Sequence, residues 1–430
     1  MGEPIAIRIL KRFIMDWAIE KGYQSPIEQK KQKKYKVAVI GAGPAGLAAG
    51  YYLNQKGYKV AVFESLPVVG GMLTVGIPEH RLPKKTLNFD IEHIIKSGVA
   101  IKTNKALGKD FSIDDLFKEG YRAIFIAIGA HKSMKLNIPG EDANGVIHAL
   151  DLLKTVNLGK KAELGENVGI VGGGNAAIDA ARVAIRSKNC KKVTVLYRRT
   201  RKEMPAFEEE IDHATEEGID IQFLVTPIKI LTEKGKVIGV ECIRMKLGNL
   251  DESGRRRPIP IKGSEFTLEL DTLIPAIGER PDISFLTDKD NLKTSKWDTI
   301  DVDDETLLTD REGVFAGGDV VTGPRTVVEA IAAGKLAAES IEKYLSGKSL
   351  AREYKLSRPS SYVEPVELTE EEIEKAERPK MPKLPPRARK KNFKEVELGL
   401  SEEKAIKEAR RCLRCELKTK DGKKAIGREK

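Results

Sequence analysis

The feature that most constrains this chain is a glycine pattern that occurs twice in the same local setting. Gly41-Ala42-Gly43-Pro44-Ala45-Gly46 follows an apolar run, Lys36 to Ile40, and opens a stretch of helical character through about Gln55. Gly172-Gly173-Gly174-Asn175-Ala176-Ala177 follows Val168 to Val171 and opens another, Asn175 to Arg186. A short apolar run reads as a buried strand, and a tight strand-to-helix turn needs glycine where no side chain fits. The first glycine permits the turn, the second lets the backbone approach a pyrophosphate, and the third position sets the spacing of helix and strand. A helix reached this way offers free N–H groups and its positive dipole end to an anion.

Further strands read at Tyr58 to Phe63, Ala123 to Ile128 and Lys192 to Tyr197. Strand alternating with helix predicts an α/β fold with a parallel, doubly wound sheet, and the repeat predicts two Rossmann-like dinucleotide-binding domains.

The two copies differ after the glycines. In the first, Glu64 ends the second strand 18 residues after Gly46, where a carboxylate can bind both hydroxyls of a ribose. Gly70-Gly71, then Gly76-Ile77-Pro78-Glu79-His80-Arg81-Leu82-Pro83, then Gly313-Val314-Phe315-Ala316-Gly317-Gly318-Asp319 point to FAD. An Asp after such a strand can accept from the ribityl chain. A helix from about Thr326 can aim its positive end at the flavin N1/O2 edge. Candidate FAD residues are Gly41, Gly43, Ala45, Gly46, Glu64, Gly71, Arg81, Gly318, Asp319 and Thr326. In the second copy Ala177 replaces the third glycine, and the second strand ends at Tyr197 with no acid. Arg198, Arg199 and Arg201 follow. Guanidinium groups pair with a 2′-phosphate where a carboxylate would repel it, so this copy is predicted to take NADP(H). Candidates here are Gly172, Gly174, Asn175, Ala177, Arg198, Arg199, Arg201 and Gly278. His80 and Glu329 are candidates to line the flavin, with simple packing as the competing reading.

At 430 residues the chain is long enough for two or three domains. No stretch of about 18 apolar residues occurs, so no membrane span is expected, and the charged first 35 residues do not read as a secretory signal. The net charge of +11 is spread over basic runs at Lys30 to Lys36, Arg255 to Arg257 and Arg387 to Lys391. No nucleic-acid motif accompanies them, so they read as solvated edges or as a surface for an acidic partner. Four cysteines, Cys190, Cys242, Cys412 and Cys415, do not form a disulfide framework, and a cytoplasmic setting is expected. From Ser346 onward Pro, Lys, Arg and Glu dominate, which predicts an extended tail, ending in a short helix, Ser401 to Arg411, before Cys412. Cys412-x-x-Cys415 supplies two thiolates on one turn, a spacing used for iron–sulfur clusters, for zinc and for redox disulfides.

Together these segments resemble the small (β) subunit of glutamate synthase and its relatives, including NADPH-binding subunits of ferredoxin-dependent transhydrogenases. The match runs through Val37 to Gly46 with Glu64, Gly76 to Pro83, Gly172 to Ala177 with Tyr197 to Pro205, and Asp271 to Pro281 with Gly313 to Gly334. The resemblance implies an FAD domain in two segments, 36–130 and 279–346, with an NADPH domain, 131–278, inserted between them. The crossings fall near Ala127-Ile128-Gly129 and Ala276-Ile277-Gly278. Residues 1–35 then form a helical lead-in, in which Gly2 to Phe13 resembles the end of the family's iron–sulfur domain, and 347–430 form the tail. Glu408 to Cys415 resembles the opening of the family's cluster motif, so Cys412 and Cys415 are candidates for half of a shared cluster. The function implied is hydride exchange between NADP(H) and FAD, with electrons passed to iron–sulfur clusters on partner subunits, in a transhydrogenase, an electron-bifurcating complex or a glutamate synthase. The alternatives are a free-standing dithiol reductase and a non-catalytic flavin scaffold.

Overall fold

A computed structural model describes residues 3–23, 26–27, 31–351, 369–371 and 377–412. They divide into two compact units, one of residues 27–352 with 386–394, the other drawn from residues 1–26, 353–385 and 395–430.

The larger unit holds two parallel sheets. The first has the spatial order Val314–Ala316, Tyr121–Ile126, Lys36–Ile40, Lys59–Phe63, Ala100–Lys102. Its central strands are buried on both faces, which is why they read as continuous apolar runs. Helix Pro44–Gln55 and helix Val327–Leu345 cover one face and cross closely. A Cβ on Gly334 would lie 2.2 Å from the Ala45 carbonyl oxygen, so that crossing requires glycine. The second sheet has the order Thr272–Pro275, Asn167–Val171, Lys192–Tyr197, Asp220–Phe223, with helix Asn175–Ala184 packed on it. The strands on either side of the chain crossings, Lys132–Ser133 and Glu279–Arg280, pair with each other antiparallel.

A third sheet is antiparallel and was not evident in the sequence. It contains Val225–Glu233, the long strand Lys236–Leu250, Arg256–Pro260 and Phe266–Glu269. Its central strand, Lys236–Leu250, pairs with the other three and mixes exposed and buried residues without a regular alternation, so it carries little period-two signal.

The described tail residues fold rather than run free. Residues 386–394 lie on the second sheet's layer. Arg389 donates to Glu216 at 2.6 Å, Arg186 Nε donates to the Asn392 carbonyl at 3.1 Å, and Phe393 joins the surrounding core. In the smaller unit, helix Ile7–Glu20 packs on helix Glu402–Arg410 around Ala6, Ile9, Leu400 and Ala405. Buried Glu408 accepts from the Ala6 amide at 2.6 Å and from Arg411 at 2.7 Å. No helix among the described residues is long and apolar enough to cross a membrane.

Candidate functional site

Both glycine turns are built to one plan. Gly41 takes φ +103 and Gly172 φ +146, values that side chains rarely adopt. A Cβ on Gly41 would lie 2.3 Å from the Ala127 carbonyl oxygen, and one on Gly172 would lie 2.2 Å from that of Ala276. Each turn therefore abuts the alanine of one chain crossing. The helices that follow begin at Gly43 and Gly174 with no side-chain cap. At both of these residues a Cβ would meet nothing closer than 3.9 Å, and φ is negative. Neither packing nor backbone conformation requires glycine there. What its absence of side chain provides is open space over an uncapped helix start, the shape and polarity that a pyrophosphate needs. The residues present fit two dinucleotides.

Around the first turn, buried Glu64 accepts from the Ala42 amide at 2.8 Å and from the Leu66 amide at 2.8 Å. Gly71, at φ +54, lies so near that its Cβ would come 2.8 Å from the Gly43 Cα. Gly318, at φ +76, would place a Cβ 3.0 Å from that of Ala45, so Ala45 packs against the Gly318–Asp319 corner. The structure thus brings together Gly41, Gly43, Ala45, Gly46, Glu64, Gly71 and Gly318. Asp319 accepts from the Arg325 amide at 3.1 Å, and burial, with Glu329 adding repulsion, pushes its carboxyl up to about 6. Thr326 and Glu329 form a reciprocal cap, with the Thr326 amide donating to Glu329 at 2.8 Å. The helix start expected to face a flavin edge thus carries a carboxylate of its own. That Glu329 carboxylate is exposed, and the Thr326 hydroxyl and amide hold it below the usual range, so it is an acceptor and not a proton donor at neutral pH.

Two further candidates sit elsewhere. Arg81 donates to Asp179 at 2.5 Å and lies 3.4 Å from Glu210, so it ties the first segment to the second sheet's helices. His80 is fully buried with neither ring nitrogen hydrogen-bonded among the described residues, and Phe393 lies 6.2 Å away, ring to ring. Burial, then Arg182, Arg186 and Arg81, hold its pKa well below 6.5, so the imidazole is neutral. Beneath it Arg182 and Arg186 both pair with Glu217, at 2.8 and 2.6 Å, and Arg182 also pairs with Glu210. Burial raises Glu210, but His213, Arg81 and Arg182 outweigh it and bring the carboxyl to about 2. This buried network joins Arg81 to Asp179 across 98 residues, and no local pattern announces it.

Around the second turn, Ala177 packs with its Cβ 3.4 Å from where one on Gly172 would be. Asn175 accepts from the Phe207 amide at 3.1 Å, and Gly278, at φ +131, sits against Met134. The three arginines are not equivalent. Arg199 is buried and donates to Asp251 at 2.6 Å and to the Arg256 carbonyl at 2.7 Å. Arg201 pairs with Asp212. Arg198 is exposed, with no hydrogen bond or ion pair among the described residues.

Cys190 and Cys242 are separate free thiols, pushed by burial up to about 11 and about 12, so neither is a thiolate at neutral pH. Cys412 follows helix Glu402–Arg410 as a free thiol, and Cys415 lies outside the described residues.

Two parallel sheets, each with a glycine turn, an open helix start and its own counter-group, define a protein with two dinucleotide-binding halves. Residues 35–334 match the model of the pyridine nucleotide-disulphide oxidoreductase family, and the chain belongs to that family. Within it the chain is 42% identical to the β subunit of the NADP(+)-dependent formate dehydrogenase of Moorella thermoacetica, over 96% of its own length and 62% of that protein's. It is 37% identical to the NADPH glutamate synthase small chain of Azospirillum brasilense, over 81% of its length and 74% of that chain. Mycobacterium tuberculosis FprA in complex with NADPH has the same fold, with a TM-score of 0.63 at 18% identity, over 73% of this chain and 85% of that one. The chain thus spans less than two thirds of the formate dehydrogenase subunit.

Proposed function

We propose that this chain is the nucleotide-binding subunit of an NADPH/NADP oxidoreductase. FAD is held by segments 36–130 and 279–346, and NADP(H) by the inserted segment 131–278. The observation that carries this reading is the contrast at the second strand end: a buried carboxylate, Glu64, in one half and in the other Arg198, a guanidinium with no ion pair among the described residues. A bound flavin supplies the exchange of a hydride with a nicotinamide for single electrons delivered to metal centres. Gly43 and Gly174 leave room for the two pyrophosphates. Glu64 orients a ribose through its free acceptor capacity. Asp319 accepts from a ribityl hydroxyl. Arg198 pairs with a 2′-phosphate. Neutral His80 and capped Glu329 move no proton in this reading.

The names of the relatives, a formate dehydrogenase β subunit and a glutamate synthase small chain, support a place in a larger cytoplasmic assembly whose other subunits hold iron–sulfur clusters. In this reading the Cys412-x-x-Cys415 pair contributes half of a cluster completed by a neighbouring subunit, or docks beside one. Neither nucleic acid nor a membrane enters this reading. The high thiol pKa values of Cys190 and Cys242 weigh against a free-standing dithiol reductase.

The test is the absorption spectrum of the purified chain. One FAD per chain, bleached far faster by NADPH than by NADH, is the expected result. Equal rates would remove NADPH from the reading, and a colourless chain that takes up no added FAD would remove the flavin.

A further inference from the structure

Of the three arginines after Tyr197, Arg199 and Arg201 are committed to carboxylates, whereas Arg198 has no ion pair among the described residues. Both partners of Arg199, Asp251 and the Arg256 carbonyl, belong to one hairpin, formed by Lys236–Leu250 and Arg256–Pro260. Its turn is tightly determined. The Asp251 amide donates to the Arg255 carbonyl at 2.7 Å. Asp251 Oδ1 accepts from the Ser253 amide at 2.9 Å and from the Arg255 amide at 3.2 Å. Asp251 Oδ2 is left for Arg199, so one carboxylate fastens the turn to itself and to the end of the second sheet's strand. Arg255 is held in turn by its Nε bond to Ser253 Oγ at 2.9 Å, and its terminal nitrogens make no hydrogen bond among the described residues. The two bonds from Arg199, to Asp251 and to the Arg256 carbonyl, hold this turn, and Arg255 with it, against the strand end that carries Arg198. The turn thus brings a second basic residue to the strand end of Arg198, and among the described residues neither guanidinium has a carboxylate partner, a concentration of positive charge that favours an anion there.

We propose that the hairpin turn 251–255 completes the anion pocket of the second half, with Arg255 as its second guanidinium beside Arg198 and Arg199 as a positioning residue that holds the turn through Asp251. The ligand is the 2′-phosphate of NADP(H), so the inference rests on the nucleotide assignment above. A phosphate dianion matches two guanidinium forks better than one, since each fork supplies parallel charge-assisted hydrogen bonds. The arrangement also gives Arg199 a different part from its neighbour, although the two are adjacent in sequence.

The test uses the full-length chain loaded with FAD, with 2′,5′-ADP and 5′-AMP as probes in titration calorimetry. The wild type binds 2′,5′-ADP far more tightly than 5′-AMP. Arg255→Ala weakens 2′,5′-ADP by roughly tenfold or more, the loss expected for one charge-assisted pair, and leaves 5′-AMP unchanged, which also reports that the variant is folded. Asp251→Ala separates positioning from simple charge. Removing a carboxylate near a phosphate should tighten binding by Coulomb's law alone, whereas a turn released from Arg199 binds 2′,5′-ADP more weakly. A wild type that does not distinguish the two probes overturns the NADP(H) reading. A wild type that does, with Arg255→Ala unchanged or Asp251→Ala tighter, overturns only the part assigned to the hairpin.

Discussion

The two nucleotide halves use the same turn and differ in what surrounds it. In the first half the turn is sealed by backbone contact and one acid. Gly46 would place a Cβ 1.9 Å from the Gly41 carbonyl oxygen, and Glu64 closes the loop through the Ala42 amide. In the second half the same position is Ala177, and the load passes to charge. Arg182 and Glu217 are both 0% exposed, and the strand end is a set of arginines. The first half resembles a packed hydrocarbon core with one polar clasp, the second a core threaded by ion pairs. Backbone packing tolerates no added atom, while a buried charge tolerates no lost partner, so the halves should fail in different ways.

The largest effect is expected in the second half. Glu217→Gln leaves Arg182 and Arg186 with too little negative charge, and breaking a buried pair costs about 3–5 kcal/mol. Denaturant unfolding should show the loss, and an unchanged midpoint would mean that the network is not stabilising. The same network gives a pH signature. Glu210 is depressed from 4.5 to about 2, so the stability it contributes is complete above about pH 4.5 and is lost as pH falls through about 2.

Next comes the exchange of third positions. Gly46→Ala forces the first turn apart and should cost about 1–3 kcal/mol or more, with loss of flavin, since overpacking of this kind is not relieved by a rotamer. Ala177→Gly removes a methyl and adds helix freedom, and should cost about 1 kcal/mol with nucleotide binding retained. Paired thermal melts with and without added FAD would check the contrast, and equal losses in the two variants would erase it.

The smallest effect has the opposite pH sense from that of Glu210. Asp319 is raised from 3.8 to about 6 in the folded chain, so flavin-free protein gains stability as pH falls through about 6 towards 4 and loses it as pH rises. Asp319→Asn removes the buried charge and should stabilise the flavin-free chain at pH 8 by about 1 kcal/mol after solvent screening, while weakening FAD binding. Melting of flavin-free wild type and variant at pH 4.5 and pH 8 is the measurement, and a variant no more stable at pH 8 would refute the assignment.

Most of the first half was legible. Lys36–Ile40, Lys192–Tyr197 and the helix starts at Pro44 and Asn175 fall where apolar period and glycine place them, because those signals act over a few residues. Strand ends at Tyr121 and Ile126 shift by two residues from the expected run, since side-chain pattern marks burial and not the ladder's last bond. Less of the second half could be read. Nothing local showed that Arg81, a candidate flavin residue, meets Asp179, or that the basic run at Arg255 to Arg257, whose Arg256 and Arg257 are exposed, accepts at the Arg256 carbonyl from Arg199. The tail was expected to be extended, but Pro- and Lys-rich composition does not reveal that Arg389 and Phe393 find buried partners.

By itself the sequence determined the two turns and the sign of charge at each strand end. Glycine at a positive φ is a demand of the local backbone, and the spacing from turn to strand end is set by the length of one helix and one strand. Tertiary structure decided which of the arginines were left over. Arg199 meets Asp251 across 52 residues, and among the described residues Arg198 has no ion pair. An ion pair forms wherever folding brings two groups within a few ångströms, and many acids in this chain were available to each arginine. The choice among them depends on the packing of distant segments, so it appears only once the hairpin, the helices and the sheet stand in place.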